Sequence, residues 1–420
     1  MAEEQQHASR RERRAAHRRA RSRRARVLRI VAFTLAGLVL AGAGAAGYAY
    51  WRLNANIKSV DIDGQLGSGR PSAANNGSFN VLVLGSDSRG GANSSLAGGD
   101  TGDTARSDTA MVVHVNQGHS AGTVVSIPRD TLVARPACTA PNGTAVPAVR
   151  SAMFNSAYEV GGAACAVKTT EQLTGLRMDH YIEIDFSGFA NFVNAIGGAS
   201  VTTTVNINDK DSGLVLKAGT NHLNGDQALA FVRTRHGVGD GSDLGRIELQ
   251  KQMVKSIMQQ VNSIGLFGNP AKLFSVADTL TRSITTDSAL ASVSALTSLG
   301  QELKGIGTDQ LTMVTLPVVT APTDPNRVVP LNPQSGQVWD ALRTDRPMPA
   351  AIVSSQPSNP ADPRSPVGGT GGTGGTAGTG STGGATQGAT AAAGSAATPA
   401  GAPAASAPAT GAAQGADGDS

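Results

Sequence analysis

Asn80-Val81-Leu82-Val83-Leu84-Gly85-Ser86-Asp87-Ser88-Arg89 is an apolar run that turns abruptly polar. Residues 81–84 show no polar alternation. A strand that is apolar on both faces is buried on both, so this one belongs inside a sheet covered by helices on either side. Just past its end stand a carboxylate and a guanidinium, where sheets of this class bind ligands.

The same pattern recurs further along the chain. Arg106-Ser107-Asp108-Thr109 leads into the apolar residues 111–115, and residues 124–127 run into Pro128-Arg129-Asp130. Residues 228–232 run into Arg233-Thr234-Arg235-His236, and Asp243-Leu244-Gly245-Arg246 follows. Residues 111–115, 124–127, 181–186 and 228–232 read as further strands. Around and after Gly245, Leu244, Ile247, Val254, Ile257, Met258 and Val261 share one face of a helix, and Asn269-Pro270 interrupts the region. The expected fold is α/β: a central mixed β-sheet covered by helices on both faces, over residues 79–346.

Arginines converging at strand ends suit a phosphate or pyrophosphate, because guanidinium forks bind its oxygens bidentately and stay charged. Taken singly, each Arg–Asp pair reads as a surface ion pair; the grouping argues for a site. Two carboxylates among the arginines make sense when a hard cation joins them. Mg²⁺ (or Mn²⁺) fits, held by one or two carboxylates and substrate oxygens. The sequence has no Gly-x-Ser-x-Gly elbow, no phosphate loop and no His-Glu-x-x-His. His114, His180, His222 and His236 are scattered and read as structural or surface residues. These residues by themselves indicate an anion-binding site.

The flanks are compositionally distinct. Residues 1–26 hold 10 arginines and 3 glutamates, leaving 25 basic and 28 acidic residues in the rest of a chain whose net charge is +4. A basic head on a slightly acidic body argues against a nucleic-acid-binding domain and for a local address. The head, taken as residues 1–29, reads as irregular. Residues 30–51 are uncharged, span roughly 33 Å as a helix, and close on Tyr48, Tyr50 and Trp51. They read as a single transmembrane helix with its N-terminus cytoplasmic and the rest extracytoplasmic. A cleaved signal peptide, with Ala43-Gly44-Ala45 as its small-residue site, is the rival reading. Residues 52–78 read as a polar stalk and residues 347–420 as a disordered tail of Gly, Ala, Thr, Pro and Ser. Cys138 and Cys165, the only cysteines, are expected to form a disulfide in an oxidising compartment; two separate thiols are the alternative.

The linked motifs quoted above, together with Ser126-Ile127-Pro128-Arg129-Asp130, Asp179-His180-Tyr181-Ile182-Glu183-Ile184-Asp185-Phe186 and Ile196-Gly197-Gly198, resemble the ordered signature of LytR-CpsA-Psr proteins. The resemblance covers residues 79–265, with a weaker continuation to residue 346. It implies a phosphotransferase that moves a glycopolymer from a polyprenyl-pyrophosphate carrier to a peptidoglycan acceptor by a phosphodiester bond. It maps the metal carboxylates onto Asp87 and Asp108. The pyrophosphate arginines fall on Arg89, Arg106, Arg129, Arg233, Arg235 and Arg246, and Asp243 falls near the site, where it would assist deprotonation of the acceptor. The partners implied are that lipid-linked donor, peptidoglycan and the membrane, with no nucleic acid. Phe186, Phe189, Phe192, Val193 and Ile196 recur at helical spacing, which suits either an apolar slot for the polyprenyl chain or an ordinary core face. The loop of residues 90–105 is glycine-rich, and the family's loop there is variable. Two other classes remain: a membrane-bound transcriptional regulator, and a lipid-pyrophosphate binding protein without turnover.

Overall fold

A computed structural model describes residues 2–86, 107–234, 243–265 and 269–356, with side chains from residue 28 onward except those of residues 243 and 244. Its spine is the strand foreseen at residue 81. Seven strands form one mixed sheet: β1 (Lys58–Val60), β2 (Phe79–Ser86), β3 (Ser107–Val115), β4 (Gly122–Ile127), β5 (His180–Asp185), β6 (Ile284–Asp287) and β7 (Leu311–Thr315), in the spatial order β1-β6-β5-β2-β3-β4-β7. β2 runs parallel to β5 and antiparallel to β3, while β4 runs antiparallel to β3 and parallel to β7. The carboxyl ends of β2, β4, β5 and β7 and the amino end of β3 therefore lie along one edge of the sheet.

Alternation along β2 sends its side chains to two cores. Leu82 and Leu84 join Val112, Val125, Phe154, Val167, Trp339 and Leu342 beneath α3 (Phe154–Thr174) and α8 (Gln334–Arg343). Val83 and Met111 face the other way, toward α4 (Phe186–Ala195), α5 (Gly225–Arg233) and α6 (Asp243–Ser263). Helices thus cover both faces, as the unalternating apolar strands require. Burying one such side chain as large as Phe154 contributes roughly 1.5–3 kcal/mol. Gly162, at φ 63°, breaks α3 into two segments. Beside that break a disulfide joins Cys138 to Cys165, with the Cα atoms 5.4 Å apart.

Four segments differ from expectation. Residues 228–232 are helix, not strand. Asn224 and Gln227 form a reciprocal capping box, Oδ1 of Asn224 accepting from the Gln227 N–H at 2.9 Å and Oε1 of Gln227 accepting from the Asn224 N–H at 3.1 Å. Ala228, Leu229 and Phe231 then bury one side of α5. Residues 52–78 are not a stalk: β1 adds to the sheet beside β6, and α2 (Ile62–Leu66) buries Ile62 and Leu66. Arg70 seals the segment with a buried ion pair, Nη2 to Glu171 Oε1 at 2.7 Å. The fold also runs past residue 346, since Ile352 of α9 (Ala350–Ser354) is buried and Gln356 bonds to Thr315. The rest of the expected tail, residues 357–420, lies outside the described residues.

α1 spans Ala2–Asn56, so the backbone of the basic head is helical rather than irregular. Arg, Ala, Glu and Gln are strong helix formers, which a judgement from charge alone undervalues. Its stretch Leu28–Asn56 is long and apolar enough to cross a membrane, and Phe33, Leu38, Leu40 and Trp51 stand exposed along it.

Candidate active site

The edge where β2, β3 and β4 meet is built around Asp108. Ser86 pairs with Ser107 across a bulge at Gly85, so the chain leaves and re-enters the sheet at one registered pair. A Cβ on Gly85 would press on the Thr109 side chain at 3.2 Å, which favours glycine at this close approach. Next to Ser107, the Asp108 carboxylate receives Arg129, with Nη1 donating to Oδ1 at 2.6 Å. Arg129 stands just beyond β4, and its Nε lies 3.5 Å from Asp130, which also pairs with Arg327. From the other side Arg246, in the first turns of α6 and 4% exposed, donates to the Asp108 carbonyl oxygen at 3.2 Å. Arg233 closes the last turn of α5 and lies over the Phe186 ring, 4.9 Å from its centre, a cation–π placement that aims the guanidinium. Asp185 caps α4 by accepting from the Gly188 N–H at 2.7 Å and so fixes where Phe186 begins.

Asp108, Arg233, Arg246, Asp209, Asp211 and Gln250 line a cavity of about 220 Å³. A second, apolar cavity of about 140 Å³ lies against it, walled by Phe186, Phe189, Leu229, Met253, Val254 and Ile257. Thr109, Phe186, Val232 and Gln250 belong to both. The two cavities therefore share a wall, one polar and lined by both carboxylates and guanidiniums, the other nearly free of polar groups.

α6 is anchored behind the site by a second charged pair. Lys251 Nζ lies 2.5 Å from Glu248 Oε1, both side chains largely buried beside Thr315. Burial pushes the Lys251 ammonium below its ordinary pKa, with Glu248 opposing that shift.

Four expected site residues, Asp108, Arg129, Arg233 and Arg246, meet at this edge. Asp87, Arg89, Arg106 and Arg235 lie outside the described residues; Asp243 opens α6, and nothing is described of its side chain. Of the apolar stripe, Phe186 and Phe189 line the slot. Val193 and Ile196 are instead fully buried in packing clusters, with Phe192 packed against the latter. α4 lies between the slot and its neighbouring helices, so one helical stripe divides between cavity and core. Asp209, Asp211, Ser212 and Gln250 were not foreseen. Asp209 is almost fully buried and accepts from the Asp211 N–H at 2.9 Å, shaping the turn that brings both aspartates to the cavity. The signal for them was two aspartates close together in the polar stretch of residues 206–213.

Among the described residues no group of three or more His, Cys, Asp or Glu side chains forms a metal cluster. Asp108 nonetheless offers hard carboxylate oxygen at the cavity wall, a donor set suited to a cation that completes its shell with substrate oxygens.

Comparison with known proteins gives a consistent result. The model of the LytR_cpsA_psr family matches residues 49–344. Cell wall biosynthesis protein LcpA of Corynebacterium glutamicum is 32% identical over 282 residues, covering 61% of this chain and 53% of its own. The polyisoprenyl-teichoic acid–peptidoglycan teichoic acid transferase TagT of Bacillus subtilis is 30% identical over 284 residues, covering 64% and 80%. The chain thus spans about half the length of its Corynebacterium relatives and most of TagT. Among solved structures, that of B. subtilis TagV shares the fold with a TM-score of 0.51 at 24% identity, covering 65% of this chain and all of that one.

Proposed function

The chain belongs to the LytR_cpsA_psr family, and from that premise we infer that it transfers a glycopolymer from a polyprenyl-pyrophosphate carrier to peptidoglycan through a phosphodiester bond. One observation carries the reading: a polar cavity lined by Arg233, Arg246 and Asp108 shares a wall with the apolar slot. A ligand with a doubly charged head and a long hydrocarbon tail needs both, joined. Naming TagT as a teichoic acid transferase supports the same class of reaction.

In this reading Arg129, Arg233 and Arg246, with Arg89, Arg106 and Arg235, hold the pyrophosphate oxygens and neutralise charge as it moves to the leaving group. The tail runs along Phe186 and Phe189. The acceptor hydroxyl oxygen attacks the sugar-bearing phosphorus, the bond to the lipid phosphate breaks, and lipid monophosphate departs. Asp243 takes the acceptor proton. Asp108 and Asp87 would hold Mg²⁺ or Mn²⁺, which supplies Lewis-acid neutralisation of the phosphate oxygens when bound. α1 is read as a single-pass anchor with its basic end in the cytoplasm.

Purified full-length chain, given a lipid-linked donor, Mg²⁺ and peptidoglycan fragments, is expected to release lipid monophosphate and produce polymer-bearing peptidoglycan, and chelation is expected to stop both. Tight donor binding with no release by folded protein would leave a carrier-binding protein in place of the enzyme.

A further inference from the structure

The apolar stretch of α1 joins the sheet through a single residue. It ends at Asn56, and β1 begins at Lys58, already paired with Thr285. The last turn and a half of the helix is fastened to the domain. Arg52 Nε donates to Asp278 Oδ1 at 2.9 Å and its Nη2 to Oδ2 at 3.4 Å. One turn later Asn56 donates to the same carboxylate at 3.0 Å and to Thr281 Oγ1 at 3.3 Å. The Val293 N–H donates to Asn54 Oδ1 at 3.0 Å, and Leu53 is buried between these contacts. Held toward Arg52 and Asn56, the Asp278 carboxyl lies below the ordinary carboxylate range, its hydrogen bond from Arg52 being the main cause.

Asp278 and Thr281 belong to α7 (Pro270–Ser283). Residue 52 meets 278 and residue 56 meets 281, so α1 and α7 run side by side in the same direction. At 1.5 Å per residue, Pro270 lies about 12 Å back from Asp278. That brings the first turns of α7 beside the turns holding Tyr48, Tyr50 and Trp51, which are more than half exposed at 57%, 52% and 66%. Leu273 in these turns is 38% exposed. On its other side α7 puts Val276 into a cluster with Ile196, Phe192, Ile257, Val261 and Ile264, and Ile257 also lines the apolar slot. Apolar contact is therefore continuous from the slot to the helix that grips α1.

We propose that α7 is a second membrane-contacting element: its first turns rest in the bilayer interface beside Tyr48, Tyr50 and Trp51, held there by the Arg52–Asp278 clamp. The domain then sits on the lipid surface in one fixed attitude, with the seam of α4, α6 and α7 at the bilayer. The inference rests on reading α1 as a membrane span and is independent of turnover. An aromatic belt and a partly exposed leucine at one level suit the interfacial zone, where amphipathic surfaces partition.

Both native cysteines are consumed in the disulfide, so an added cysteine takes a nitroxide label selectively. Full-length Leu273→Cys, Phe33→Cys and Val149→Cys variants would be labelled in phosphatidylcholine/phosphatidylglycerol nanodiscs and their collision rates with oxygen and a nickel chelate compared. A several-fold higher oxygen-to-nickel ratio at 273 than at 149 is expected. Asp278→Arg should lower it, and adding Arg52→Asp should restore it. An aqueous ratio at 273 with a membrane ratio at 33 would overturn the seating while keeping the anchor. Aqueous ratios at both would overturn the anchor as well, and neither result bears on catalysis.

Discussion

Arg129 donates from Nη1 to Asp108 Oδ1 at 2.6 Å, tying the end of one strand to the start of its neighbour at the edge where the cavity opens. Both side chains are about a quarter exposed, at 22% and 25%. The pair is therefore placed to exchange partners with a charged ligand as well as to hold the edge together. Arg129→Lys is expected to lower donor turnover by about 10²–10³, because an ammonium keeps the charge but loses the planar fork. Asp108→Asn should weaken both rate and Mg²⁺ dependence. Lipid-monophosphate release by each variant, with folding checked by circular dichroism, decides this; near-normal turnover in both would place the chemistry elsewhere.

Ile257 lies partly exposed where α6 borders the apolar slot. Ile257→Trp should fill much of the about 140 Å³ available. Donors with long prenyl chains should then show a raised KM, while a donor with a short, soluble chain keeps its KM. An equal effect on both donors would mean that the slot does not hold the tail.

Gly225 opens α5 where it crosses α4. Its N–H donates to Asn194 Oδ1 at 2.7 Å, and a Cβ there would overlap the Ala190 carbonyl oxygen. Gly225→Ala should destabilise the fold by about 1–3 kcal/mol, as overpacking does. It should also shift Arg233 at the other end of the helix, raising KM for the donor. Denaturant midpoints and donor kinetics test the two effects separately, and an unchanged midpoint would show that α4 and α5 can part at no cost.

The disulfide lies on the α3 side of the sheet, opposite the slot. Reduction should destabilise the domain by about 3 kcal/mol and lower Tm by roughly 6–12 °C, with donor turnover below the melt unchanged. Melting curves with and without reductant measure the first effect. Two alkyl adducts on folded, unreduced protein would show that the bond does not form.

A pH signature should come from His180 and Asp287, 3.3 Å apart. Burial depresses the His180 imidazolium, but the Asp287 carboxylate outweighs it and the pKa rises above 6.5. Burial likewise raises Asp287, but His180 and the Tyr181 N–H outweigh that, and its pKa falls below 3.8. The His180 contribution to stability is complete below 6.5 and fades as pH climbs through the raised value. The Asp287 contribution is complete above 3.8 and fades as pH falls through the lowered one. His180→Gln should therefore cost more stability at about pH 5.5 than at about pH 9. A deficit as large at the higher pH would contradict the pairing.

Residues 81–84, 111–115 and 124–127 were legible as strands because burial on both faces leaves an unalternating apolar run. Asp108 and Arg129 come together because topology puts the start of one strand beside the end of its neighbour on one edge, while Asp87, Arg89 and Arg106 lie outside the described residues. Residues 228–232 misled because a short apolar run suits strand and helix alike, and the signal that decides it, Asn224 with Gln227, lies just upstream. Residues 52–78 look polar in composition, yet a three-residue strand, the buried Ile62 and Leu66 and the buried ion pair of Arg70 hold them on the domain. Asp209 and Asp211 reach the cavity through tertiary folding of a small hairpin, and their close spacing in a polar stretch says nothing of where that hairpin packs.

The central claim is that one ligand occupies both cavities, its charged head among Arg129, Arg233 and Arg246 and its tail along Phe186, Phe189 and Ile257. A polyprenyl diphosphate bearing a photoreactive group near the start of its chain measures this directly. After irradiation of the full-length protein, mass spectrometry should find the adduct on peptides from α4 and α6 around Phe189 and Ile257. Excess inorganic pyrophosphate and Arg246→Lys should each diminish it. Adducts concentrated on other elements, or labelling indifferent to pyrophosphate, would contradict a shared site for head and tail.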